Sequence, residues 1–198
     1  MIRRIPIFLL LLLAAAVLAP VQVSLQAQDK KPATLRDALL AELRSTHTNA
    51  EWFVPTNTAV KGLTAEQANW TDGKGNHSVG QLAYHLVFWN QRNLANLKGE
   101  KLEKFGGNND ETFTKFDSKT WNETVEELDD VMSELEKWVE TADEAKLKES
   151  SQVFTHISTH NAYHIGQIIL RAQRARLLGP EERRELTFAG AASPVPLS

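Results

Sequence analysis

The stretch Trp121-Asn122-Glu123-Thr124-Val125-Glu126-Glu127-Leu128-Asp129-Asp130-Val131-Met132-Ser133-Glu134-Leu135-Glu136-Lys137-Trp138-Val139 decides the fold. Trp121, Val125, Leu128, Met132, Leu135 and Val139 recur at alternating spacings of four and three residues. That period lays them along one stripe of an α-helix and puts the intervening acidic residues on the other face. A helix apolar along one stripe must bury it against other elements. The spacing therefore predicts a core helix over about 118–141.

Helical periodicity recurs on both sides of this stretch. Residues 79–97 read as a second helix with Ser78 as N-cap and Gly99 at its end. Before it, Thr71-Asp72-Gly73-Lys74-Gly75-Asn76 reads as a loop, preceded by a first helix over about 34–60 with Leu35, Leu39, Leu43, Ala50 and Val54 on one stripe. Pro55 should kink or interrupt that helix, because it lacks an N–H and its ring crowds the preceding turn. On the far side, Ser150 or Ser151 is placed to cap a helix reaching about Leu178, which Gly179 and Pro180 end. The connection from Gly99 to Asp117 carries Phe105, Phe113 and Phe116, an aromatic load that predicts a segment folded over something. With no strand alternation anywhere, the expected architecture is all-α: a four-helix bundle over 34–178, up-down in its leading topology, followed by a C-terminal tail at 179–198. Long connections leave room for a different helix order.

The chain opens with Arg3 and Arg4, runs through apolar residues from Ile5 to Ala19, and passes to Ser24-Leu25-Gln26-Ala27. This is the pattern of a cleavable signal peptide over 1–27, and the apolar run is shorter than the ~20 residues of a spanning helix. The expected destination is export, to the periplasm or the extracellular space, with no membrane association after cleavage. The sequence has no cysteine, so neither disulfides, lipidation on cysteine nor thiol chemistry of its own is open to it. Formal charge is −3, and losing Arg3 and Arg4 makes the remaining chain more acidic. Its basic residues are scattered, which argues against a nucleic-acid partner.

Three of the six histidines, His156, His160 and His164, recur every four residues. On a helix such neighbours share a face one turn apart, the arrangement by which paired imidazoles converge on one cation. His156 and His164 are separated by roughly 12 Å along a helix and cannot both hold the same ion. His160 is the shared member, partnered by either His156 or His164; spacing alone leaves both open. His85 lies in the apolar stretch Gln81–Trp89 and offers a ligand from a second helix. His47 is placed where it could reach the site, and His77 reads as a loop or capping residue. Asn161, Gln167, Tyr84 and Tyr163 are candidates to orient the imidazoles, and Gln167 with Arg171 is a candidate anion subsite. The five tryptophans read as core fillers.

Taken together, His77-Ser78-Val79-Gly80-Gln81-Leu82-Ala83-Tyr84-His85-Leu86 and His160-Asn161-Ala162-Tyr163-His164-Ile165-Gly166-Gln167 resemble the DinB family, the DinB/YfiT-like metalloenzymes. The resemblance covers roughly 35–178. It implies a four-helix bundle, often dimeric, in which His85, His160 and His164 bind one divalent metal, zinc or nickel being expected, and His156 is a neighbour. It departs at Ile165, where many members have arginine. The resemblance also implies transfer chemistry in which the metal activates a low-molecular-weight thiol, so a small-molecule substrate or thiol and a homodimer are the expected partners. Two further readings stand beside it: a metal-dependent hydrolase using bound water, and a non-catalytic metal-binding or stress-related interaction protein.

Overall fold

Capping side chains set where several of the helices begin. In the computed structural model, residues 34–114 and 116–178 are described, and the expected signal peptide and C-terminal tail lie outside the described residues. Seven α-helices are found among the described residues: α1 (Leu35–His47), α2 (Thr56–Val60), α3 (Ala65–Asn69), α4 (Val79–Leu97), α5 (Glu111–Thr114), α6 (Trp121–Thr141) and α7 (Glu144–Leu177). Thr34 with Asp37, Thr64 with Gln67, and Ser78 with Gln81 form reciprocal capping boxes at the starts of α1, α3 and α4. Gly99, with φ of +76°, follows α4 as the predicted stop.

The protein is all-α, and α1, α4, α6 and α7 form its four-helix bundle. Each long helix packs on two others: α1 and α4 both lie against α6 and α7. Thus α1 and α4 occupy one diagonal and α6 and α7 the other, an order different from a simple up-down succession of neighbours. The connection through α2 and α3 gives the chain the length to cross from α1 to α4.

Two helix boundaries differ from the sequence expectation. The first helix stops at His47, well before Pro55, because Thr48 and Asn49 leave the helix there and their N–H groups both return to the Arg44 carbonyl. Pro55 instead opens α2 as its N-cap residue. The last helix begins at Glu144, not at Ser150, because Asp143 accepts a hydrogen bond from the Lys146 N–H and Leu147 is fully buried in the first turns. Ser151 sits inside that helix and returns its hydroxyl to the Lys148 carbonyl.

The core is the apolar stripe of α6 closed by the inner faces of its neighbours. Leu86, Leu128, Leu135, Phe154, Ile157 and Ile165 are at most 1% exposed. Trp121 and Trp138 join this packing and donate their ring N–H groups to the carbonyls of Leu63 and Leu97. Trp70 is buried too, but Trp52 is 84% exposed and Trp89 is only half-buried, so two of the five tryptophans are not core fillers. Arg36 caps the C-terminal end of α6 by donating to the carbonyls of Val139, Glu140 and Ala142. No helix among the described residues is long and apolar enough to cross a membrane.

The 71–76 loop is tied to α7 by Asp72, whose carboxylate accepts from Arg171 at 2.7 Å. Burial alone would raise the Asp72 pKa, but hydrogen bonds from Arg171, Asn76 and the Lys74 N–H outweigh it and lower the group to about 2. A carboxylate with a depressed folded-state pKa stabilises the fold above its ordinary pKa of 3.8, and that contribution disappears as pH falls through the window from 3.8 to about 2. Asp72→Asn is expected to cost about 1.5–3 kcal/mol at neutral pH, the range for hydrogen bonds to charged groups. It should also flatten the loss of stability across that acid window. Urea unfolding midpoints measured against pH would show this; parallel curves for the two proteins would refute it.

Candidate metal centre

His85 comes from the middle of α4, where the helix turns its apolar face inward, and His160 and His164 come from successive turns of α7. One ring nitrogen from each lies within 4.8 Å of the other two. His85 and His164 are 2% and 7% exposed, and His160 is half-buried. His85 Nε2 stands 3.1 Å from His160 Nε2. Two nitrogens bound at ~2.05 Å to a tetrahedral zinc ion are roughly 3.3 Å apart, so this pair is already at ligand spacing.

Hydrogen bonds on the far sides of the rings fix which nitrogen faces inward. The Thr112 hydroxyl donates to the Asn109 carbonyl at 2.6 Å, so its oxygen is left to accept from His85 Nδ1, also at 2.6 Å. His85 therefore carries its proton on Nδ1 and presents the Nε2 lone pair. His164 Nδ1 donates likewise to the Gln167 side-chain oxygen at 2.7 Å, while Gln167 Nε2 donates to the Tyr163 hydroxyl at 3.4 Å. His164 Nε2 is thereby left bare as well. Burial depresses all three pKa values. His85 falls to about 3, with His164, His160 and His77 adding repulsion; His160 falls to about 4, with His164 adding. His164 is lowered by burial against the opposing effect of Gln167. Three neutral imidazoles, two locked with lone pairs turned inward, are the form in which histidine ligates a divalent ion.

The segment from Gly99 to Asp117 does fold over this face. Phe113 is stacked between His77 and His85, at 3.9 and 3.8 Å between ring centroids and within 7° of parallel. Phe105 lies edge-on to Phe88 and Trp89. Phe116 lies against the backbone of Gly80, where a Cβ would collide with its ring. Gly80 is thus the position at which α4 admits the segment that carries Thr112 and Phe113.

Other expectations from the sequence fare differently. His47 does not reach the site: its ring nitrogens face Glu136 at 2.7 Å and Asp129 at 2.8 Å on α6. His156 lies at the edge of the cleft and is outside the converging group. Arg171 lines a small cavity together with Gln167, and its guanidinium is engaged by Asp72 at 2.7 Å. Asn161 pairs with Asn90 at 3.0 Å in the core, and of the four candidate orienting residues only Gln167 bonds a ring of the triad. His77 does occupy the loop before α4 as expected, but its ring enters the stack beside His85. Thr112 was not visible as a partner, since it sits 27 residues from His85 in α5, a helix of four residues that is too short to show periodicity.

Residues 55–168 match the family model of the DinB superfamily, a span that includes all three histidines and the segment bearing Thr112. The chain belongs to the DinB superfamily. The match begins after α1, so the first long helix of this DinB protein lies outside it. No curated protein and no solved structure matches the chain. The histidine triad of this DinB protein lies within the matched span and could hold a metal ion.

Proposed function

We propose that this chain is an exported DinB metalloprotein in which His85, His160 and His164 hold one divalent ion, zinc or nickel, at a site that activates a thiol for transfer. The observation that carries the reading is the inward-facing Nε2 pair at 3.1 Å, with the His85 tautomer set by Thr112. His85 Nε2, left as an acceptor, lies close enough to a nitrogen of His160 and one of His164 for the three to hold one cation between them. When bound by neutral imidazoles, such an ion keeps most of its positive charge and lowers the pKa of a thiol or water in an open position. The protein's own part is to keep the imidazoles deprotonated by burial, to orient them through Thr112 and Gln167, and to wall the opening with Trp89, Phe113 and Tyr163.

The test is turnover of an electrophile, and separately of an ester, by zinc- or nickel-loaded protein with and without added thiol. Turnover that requires the thiol supports transfer. Turnover without it supports the hydrolase reading, and tight metal retention with no turnover in either series supports a non-catalytic metal-binding protein. Mass measurement of the chain recovered from an exporting host would show whether residues 1–27 are removed.

The tautomer argument gives a sharper expectation. Thr112→Val keeps the shape but removes the acceptor for His85 Nδ1–H, and should weaken zinc binding by about 10–100-fold, as loss of a ligand's hydrogen-bond partner does. Thr112→Ser should retain near-parental affinity. Chelator competition reads both; equal affinities for the valine and serine variants would refute the role.

A further inference from the structure

We infer that the cleft beside the triad takes an anionic donor atom carried on an uncharged aromatic body, an arylalkyl thiolate being the simplest member of that class. The inference rests on the metal reading above and goes on to name what meets the ion. The cleft has a volume of about 560 Å³, enough for a small organic molecule. Beyond the triad its walls are Trp89, Phe113, Tyr163, Asn93, Asn109 and His156. None of these is a lysine, arginine, aspartate or glutamate.

That absence acts in two ways. The triad's own partners are a hydroxyl and an amide, Thr112 and Gln167, in place of the carboxylates that often stand behind metal-binding histidines. A dication here would therefore meet no compensating charge from the residues that line the cleft. The compensation falls to the ligand, whose donor atom must be anionic. Elsewhere on the ligand a charge would find no counterpart. Arg92, next to Asn93 on α4, is laid over the rings of Phe88 and Phe105 at 5.8 and 5.9 Å and donates to the Glu103 carbonyl. Arg171 is committed to Asp72.

What the walls do offer is aromatic surface and neutral hydrogen bonding. Trp89 presents a half-buried ring and donates its N–H to the Asn109 side-chain oxygen at 3.3 Å, which orients that amide with its NH2 group available as donor. Tyr163 is 65% exposed although its ring packs on His164, so the side facing the opening is bare. A flat uncharged ring fits between such surfaces, and aromatic pairs contribute about 0.5–1.5 kcal/mol beyond area burial.

The test compares three thiols on the zinc-loaded full chain by calorimetry: benzyl mercaptan, glutathione and cysteamine, the last two carrying fixed charges away from sulfur. Benzyl mercaptan is expected to bind at least about ten-fold more tightly than either. Trp89→Leu and, separately, the exposed Tyr163→Leu should each reduce that preference by about 2–10-fold, matching the aromatic contribution, with zinc content unchanged. Equal or tighter binding of the charged thiols overturns the inference while the retained zinc leaves the metal reading standing. Undiminished binding of benzyl mercaptan to zinc-free His164→Ala protein overturns the anionic-donor half. Wild-type protein that takes up no zinc brings down the metal reading and this inference with it.

Discussion

Replacing His164 by alanine is expected to abolish metal retention: one ion per chain in the parent, and none surviving dialysis in the variant. The effect should exceed the 10–100-fold expected for losing a partner behind a ligand, because a ligand itself is removed from a set of three. His164 is buried, its Nδ1 is occupied by Gln167, and its ring lies edge-on to both His85 and His160 with centroids 4.7 Å away. No other histidine, aspartate or glutamate among the described residues joins that group. His156, the alternative partner for His160 by spacing, sits at the exposed edge of the cleft, so His156→Ala should leave the metal content unchanged. Elemental mass spectrometry on protein purified without an affinity histidine tag reads both variants. An ion kept by His164→Ala and lost by His156→Ala would exchange their roles and sink the assignment.

That contrast marks where sequence reading reaches its limit. Periodicity could say that His156, His160 and His164 share a face of one helix. It could not say which end of that face meets α4, since that depends on how far α7 extends and how the bundle is ordered. The early start of α7 was hidden because Asp143 caps alone, without the Glu or Gln three residues later that completes a recognisable box. The end of α1 was hidden for the opposite reason: Pro55 gave a strong stop signal, and the weaker one at Thr48-Asn49 came first. The boundaries of α4, where Ser78 and Gly99 speak together, were legible.

The core was legible because it is a property of one stripe at a time. Leu128, Met132, Leu135 and Val139 are buried as the four-and-three spacing requires. Gln167 was legible because it shares a helix with His164, but contacts that join two distant segments were not, because sequence spacing carries no information about them. Thr112 with His85, and Asp72 with Arg171, are separated by 27 and 99 residues. Arg171 shows the hazard directly: its helical position beyond His164 suggested a binding role, yet a carboxylate from a distant loop claims it. His47 repeats the lesson, its position near the end of α1 being compatible with the site until Asp129 and Glu136 are seen to hold it.

Because α7 is a single helix of 34 residues, packing near its start positions the ligands further along it. Phe154 lies six residues before His160, fully buried, with its ring 5.4 Å from that of Trp138. Phe154→Ala is expected to cost about 3–5 kcal/mol, the transfer free energy of the ring plus the cavity it leaves. Against a typical total stability of about 5–15 kcal/mol, that is enough to make the bundle marginal. Zinc binding only the folded state would restore about 2.7 kcal/mol at a free concentration 100 times its dissociation constant. The Phe154→Ala variant should therefore unfold at markedly lower urea without zinc and recover much of the difference with it. The Phe154→Ala/His164→Ala double variant should show the same loss with no recovery. A loss smaller than about 1 kcal/mol would mean that the site at Phe154 collapses without leaving a cavity. Equal recovery in both variants would mean that zinc acts somewhere other than the triad, because only linkage through His164 makes the rescue depend on that side chain.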